Sequence, residues 1–129
     1  MVWLNDMDGH NMNRHYLGSK EKYALSIDCE GFSMDTDPWT AYVTCGSEKQ
    51  TFKRGENTVT DGNGQWYIII DTMQLGTGTC YLTVEFDVPD FDFPENYRHQ
   101  VLQMEEPLCQ IINSRLVVKK THGCHCPTY

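Results

Sequence analysis

A chain of 129 residues, 40% hydrophobic and 22% charged, has the length of one domain and enough apolar side chains for a core, which excludes a disordered segment. Its net charge of −8 excludes nucleic acid as a partner, because phosphate binding needs clustered Lys and Arg, and it disfavours anionic membrane surfaces. No window has the apolar length that a membrane-spanning helix requires.

Residues 1–21 read as a polar N-terminal arm. They carry Asn5, His10, Asn11, Asn13 and His15 with few periodic apolar residues. Such an arm orders only against something. A neighbouring subunit is the simplest candidate, and its own domain is the alternative. The start, MVWLNDMDGHNMNRHY, lacks the basic and apolar regions of a secretory signal, so the expected compartment is a reducing cytosol. There the six cysteines, Cys29, Cys45, Cys80, Cys109, Cys124 and Cys126, are expected as thiols rather than disulfides.

Residues 22–120 read as one β-sandwich. Tyr23–Cys29 alternates, with Leu25, Ile27 and Cys29 on one face. The loop EGFSMDTDP leads to Trp39–Cys45, with Ala41, Val43 and Cys45 inward. Short strands are expected at Gln50–Lys53 and around Thr58 and Val59. Asp61-Gly62-Asn63-Gly64 is a tight-turn signal, because Gly and Asn accept positive φ. Gln65–Thr72 has Trp66, Ile68 and Ile70 on one face and Tyr67 and Ile69 on the other, which predicts a central or covered strand. Cys80–Val88 has a strict period of two: Cys80, Leu82, Val84, Phe86 and Val88 against Tyr81, Thr83, Glu85 and Asp87. An acidic-aromatic corner built on Pro89 and Pro94 follows. Weaker strands are expected at Tyr97–Met104, Leu108–Asn113 and Leu116–Lys120, before a C-terminal tail over residues 121–129. Turn signals at this spacing predict an all-β antiparallel sandwich.

Three groups of residues could carry chemistry. His122, Cys124, His125 and Cys126 are metal-ligand types, but they are too closely spaced for a structural zinc site and read as an incidental tail. Asp35, Asp37, Asp87, Asp90 and Asp92 could serve as a glycosidase pair or bind calcium. No calcium-loop spacing is present, and loop-capping acids are the plainer explanation. Arg98 is placed to pair with Asp90 or Asp92 and fix the corner. No nucleophile elbow, phosphate loop or Cys–His protease context occurs, so no catalytic, cofactor-binding or metal residues are assigned. Tyr67, Tyr81, Asp90, Phe91, Asp92, Phe93 and Tyr97 lie on or beside faces expected to be outside the core. They form the candidate interaction surface.

The run Ile70-Asp71-Thr72, Leu75-Gly76-Thr77-Gly78, Val88-Pro89-Asp90, Asp92-Phe93-Pro94 and Tyr97-Arg98 resembles small virion proteins of tailed phages of gut Bacteroidales, crAss-like phages included. It is similar more generally to the immunoglobulin-like N-terminal domain of phage baseplate and head-fibre proteins. The resemblance covers residues 22–113. Glu95-Asn96 stands where those relatives carry Asp-Gly, and the arm and His/Cys tail have no counterpart there. The resemblance implies an immunoglobulin-like fold and no catalytic residue or cofactor. It implies a non-enzymatic structural subunit, such as a head fibre, capsid decoration, collar or tail attachment module. Such a subunit would assemble in the host cytoplasm, in several copies, with capsid, portal or fibre proteins. The other class weighed is a glycan- or host-surface-binding adhesin module.

Overall fold

The computed structural model describes residues 13–113 and the backbone of strand β1, Val2–Leu4. Nine further strands follow: β2 Asn13–Tyr16, β3 Lys20–Ile27, β4 Trp39–Cys45, β5 Glu48–Phe52, β6 Thr58–Thr60, β7 Trp66–Asp71, β8 Gly78–Pro89, β9 Tyr97–Gln103 and β10 Cys109–Ile112. The one described helix, α1 Thr72–Leu75, is a single turn capped by Asp71, whose Oδ1 accepts from Met73 N at 3.1 Å. The protein is all-β, as its alternating runs predict.

Two sheets share the strands. One runs β1-β3-β7-β6, and the other β2-β10-β8-β4-β5 with β9 also on β8. The long strand β8 pairs with β4 along one edge, and with β9 and β10 at different heights along the other. Alternation decides what is buried. Tyr23, Leu25 and Ile27 of β3 and Trp66, Ile68 and Ile70 of β7 enter one core. Trp39, Ala41, Val43 and Cys45 of β4 join them, as do Cys80, Leu82, Val84, Phe86 and Val88 of β8. Each large side chain there gains about 1.5–3 kcal/mol from leaving water. Trp39 and Trp66 meet edge to face at 5.7 Å across the core, and each indole N–H has an acceptor, Met34 O and Asp35 Oδ1 respectively.

Two expectations need correcting. The sheets are not wholly antiparallel, because β2 runs parallel to β10 in the register Asn13↔Cys109 to Tyr16↔Ile112. Nor are the described parts of residues 1–21 simply an arm. β1 pairs antiparallel with β3, β2 is built into the second sheet, and β3 already begins at Lys20. These described segments pair within their own domain, and the rest of the stretch lies outside the described residues. The reason is backbone pairing: a polar segment such as Asn-Arg-His-Tyr lacks an apolar face yet still completes a ladder at an exposed sheet edge. The expected strand Leu116–Lys120 and the tail lie outside the described residues.

Thr72 fastens this region. Its side chain is fully buried, accepts from Gly18 N at 2.9 Å and donates to Ser19 O at 2.6 Å. Thr72→Val keeps the volume and leaves the Gly18 N–H unpaired. We expect it to lower unfolding free energy by about 1–3 kcal/mol in urea titrations, whereas a loss under about 0.5 kcal/mol would show that water replaces the hydroxyl.

Candidate interaction surface

β8 leaves the sheet at Pro89 and β9 returns at Tyr97, so residues 90–96 make a corner at one end of the molecule. Its backbone is tied internally. Asp90 N donates to Asn96 O at 3.0 Å, Phe93 N to Asp90 O at 3.2 Å, and Asn96 N to Phe93 O at 2.9 Å. Asn96 sits at φ 66°, a left-handed turn geometry that Asn tolerates. Asp90 also accepts from Asp92 N at 3.1 Å and pairs with Arg98 Nη1 at 3.5 Å, the pairing predicted for Arg98. Only one guanidinium nitrogen makes that contact, and Arg98 Nε is buried without an acceptor among the described residues. The pair is therefore a modest brace.

A rigid backbone that presents apolar rings to water is the main feature of the corner. Phe91 is 86% exposed, Phe93 42% and Tyr97 40%. Beside them the loop before β4 completes an open groove of about 420 Å³, lined by Asp37, Pro38, Asp87, Pro89, Glu95 and Tyr97 among others. Its walls are proline and tyrosine and its charge is carboxylate. The Glu95 carboxylate accepting from the phenol, together with the negative charges of Glu95 and Asp87, holds Tyr97 above its ordinary pKa.

The structure brings five of the seven predicted residues together: Asp90, Phe91, Asp92, Phe93 and Tyr97. Tyr81 is exposed on the same strand, but eight residues before Pro89, roughly 26 Å away at the usual strand rise. Tyr67 lies on the other sheet. It is partly buried under Lys22, whose Nζ stands 4.6 Å from the ring centroid, and it pairs with Val59 and Ala24. Asp37, Asp87 and Glu95 belong to the groove, and the sequence alone does not place them on the surface. The acidic loop before Trp39 and the acidic corner were each visible, but their meeting depends on β4 pairing with β8.

The aspartates have structural partners. Asp35 accepts from the Trp66 indole, Asp37 from Ser33 N at 2.9 Å, and Asp87 pairs with His99 Nδ1 at 2.7 Å. His99 and Asp87 are direct cross-strand neighbours on an outer face. Among the described residues, no group of three or more His, Cys, Asp or Glu could hold a metal ion. The His/Cys tail is outside them.

One string running from a half-buried glutamate to a buried thiol has the residue types of a nucleophile relay. Cys109 is hydrogen-bonded by Tyr23, whose Oη lies 2.5 Å from His15 Nε2, and His15 Nδ1 is 3.4 Å from Glu21 Oε1. Cys109 has no exposed surface, so no substrate atom reaches its sulfur in this arrangement. The string joins β2, β3 and β10 across the two sheets. Compared with protein-family models, curated proteins and solved structures, the chain shows no match.

Proposed function

We propose that this chain is a non-enzymatic structural subunit that works by protein–protein assembly, and that its setting is the virion of a tailed phage. The fold proposed with it is immunoglobulin-like, with β2 as a parallel addition at the sheet edge. The exposure of Phe91, Phe93 and Tyr97 on a hydrogen-bonded corner carries the reading, because aromatic rings held rigidly in water lose little entropy on docking. The acidic groove beside them fits a basic segment of a capsid, portal or fibre partner. The phage setting rests on the resemblance carried by the motifs from Ile70 to Arg98.

The test is incorporation. Peptide mass spectrometry of purified particles should find the chain at a fixed ratio to the major capsid protein. Phe91→Ser combined with Phe93→Ser should keep the melting temperature of the parent and lower incorporation by about tenfold or more, the scale expected for two truncated aromatic anchors. Undiminished incorporation would remove the corner as the docking surface. Absence of the chain from particles would remove the virion setting.

A further inference from the structure

Three thiols stand side by side across the second sheet. Cys45 of β4 is in register with Cys80 of β8, and Cys80 with Cys109 of β10. All three are buried on the core face. The Cys45 thiol donates to Gly76 O at 3.7 Å, and the thiols influence one another's ionisation in the order Cys45, Cys80, Cys109, with Tyr23 acting on Cys109 from the other side. Nothing in the assembly surface described above uses them.

We propose that this row is a modification site, in which a peroxide closes a cross-strand disulfide on Cys80 that comes to rest between Cys80 and Cys45. The backbone selects the pair. Leu108 N donates to Cys80 O at 2.8 Å and Met104 N to Leu82 O at 3.1 Å, so these β8 residues direct their peptide groups away from β4. Cys80 and Cys45 are therefore a non-hydrogen-bonded antiparallel pair, with α-carbons about 4.5 Å apart and side chains close. That separation lies within the disulfide range of about 4.4–6.8 Å. Cys80 and Cys109 form the wider kind of pair, about 5.5 Å apart, with side chains less closely apposed. Gly78 clears space for the sulfur that would accept the bond, since a Cβ there would stand 2.9 Å from Cys45 Sγ.

The first oxidation falls on Cys109. Hydrogen bonds from Cys80 and Tyr23 hold its thiol below the ordinary range, whereas burial pushes Cys45 up to about 11. Cys109 lies on a four-residue strand paired with the four-residue edge strand β2, and the proposed reaction requires local opening of that short parallel pair to admit the oxidant. The Cys109 thiolate attacks one peroxide oxygen and the O–O bond breaks. Hydroxide leaves and takes up the thiol proton as water, giving a sulfenic acid. Cys80 attacks that sulfur, the S–O bond breaks, and the second hydroxide leaves with the Cys80 proton as water. Cys45 then attacks Cys80, and Cys109 departs and takes the Cys45 proton. The row places attacking, central and leaving sulfurs on three consecutive strands. In total, two thiols and one peroxide give one disulfide and two waters.

The experiment uses the full chain carrying Cys29→Ser, Cys124→Ser and Cys126→Ser, treated with hydrogen peroxide, alkylated in denaturant and mapped without reduction. The expected product has lost two hydrogens, yields a Cys45–Cys80 linked peptide and carries the alkyl group on Cys109. Cys109→Ser should slow formation of that link by about tenfold or more, because burial still disfavours the Cys45 and Cys80 thiolates once the lower-lying Cys109 thiol is gone. Cys80→Ala should abolish every link. A link between chains, a link lacking Cys80, or three alkylated thiols after peroxide treatment would overturn the proposal. If Cys80→Ala does not fold, the parent map and the Cys109→Ser rate decide it.

Discussion

Gln50→Leu is expected to lower unfolding free energy by about 3 kcal/mol, one of the two largest single effects predicted for this chain. Gln50 is 1% exposed and is one of only two buried polar side chains among the described residues. It does the work of a missing strand. β6 pairs with β7 only as far as Ile68, and Asn57 O then takes Ile69 N at 2.9 Å. Beyond that point the Gln50 amide supplies the ladder: Nε2 donates to Ile69 O at 3.0 Å and Oε1 accepts from Asp71 N at 2.8 Å. Leucine fills the volume but leaves a donor and an acceptor buried and unpaired, each at a cost of about 1–3 kcal/mol. Gln50→Glu gives a sharper test. A neutral acid can still donate to Ile69 O, whereas a carboxylate faces that carbonyl oxygen. Burial raises the folded-state pKa of such a group above its unfolded value. Its contribution is therefore present below the unfolded pKa and is lost as pH rises through the folded one. The glutamate variant should approach the parent at pH 4 and fall well below it at pH 7 in chemical denaturation. A loss independent of pH would mean that water enters and serves both backbone groups.

Gln50 also marks where sequence reading stops. In Gln50–Lys53 the glutamine is a polar residue on a short strand, and no local pattern says that its amide will face the edge of β7. The long alternating runs behave differently. Trp39–Cys45 forms β4 with the expected bounds, and the apolar parity of β8 is its core parity from Cys80 to Val88. In those strands burial is the organising force, and burial is written in the order of side chains. The edge strands β1 and β2 obey backbone pairing, which has no such signature, so the sequence reads as a polar arm where two ladders exist. The interaction surface divides in the same way. The corner residues are contiguous in sequence and were found together. The contribution of Asp37 and Pro38 to the groove needed the β4–β8 register, and Tyr67 was separated from the rest by the sheet it occupies.

Gly78→Ala is expected to cost about 2–4 kcal/mol, from two separable sources. Gly78 has φ 139°, a conformation that L side chains rarely adopt, and a Cβ built there lies 2.9 Å from Cys45 Sγ. Gly46→Ala is the control for a positive φ without a clash: its φ is 60° and nothing lies within 4 Å of the added carbon. It should cost only the left-handed penalty, about 1–2 kcal/mol. The second source is tested by removing the sulfur. In reducing buffer, Cys45→Ala alone loses buried volume and is destabilising. Combined with Gly78→Ala, it opens the space that the new methyl group needs. The double variant should therefore be more stable than the sum of the single losses by about 1–2 kcal/mol, and the backbone share should persist. Additivity within about 0.5 kcal/mol would show that Cys45 yields freely and that φ alone accounts for the glycine. The same crowding bears on the thiol row. In the Gly78→Ala single variant the added methyl displaces Cys45 Sγ from its place beside Gly78, so the rate of Cys45–Cys80 link formation should differ from that of the parent under identical peroxide treatment.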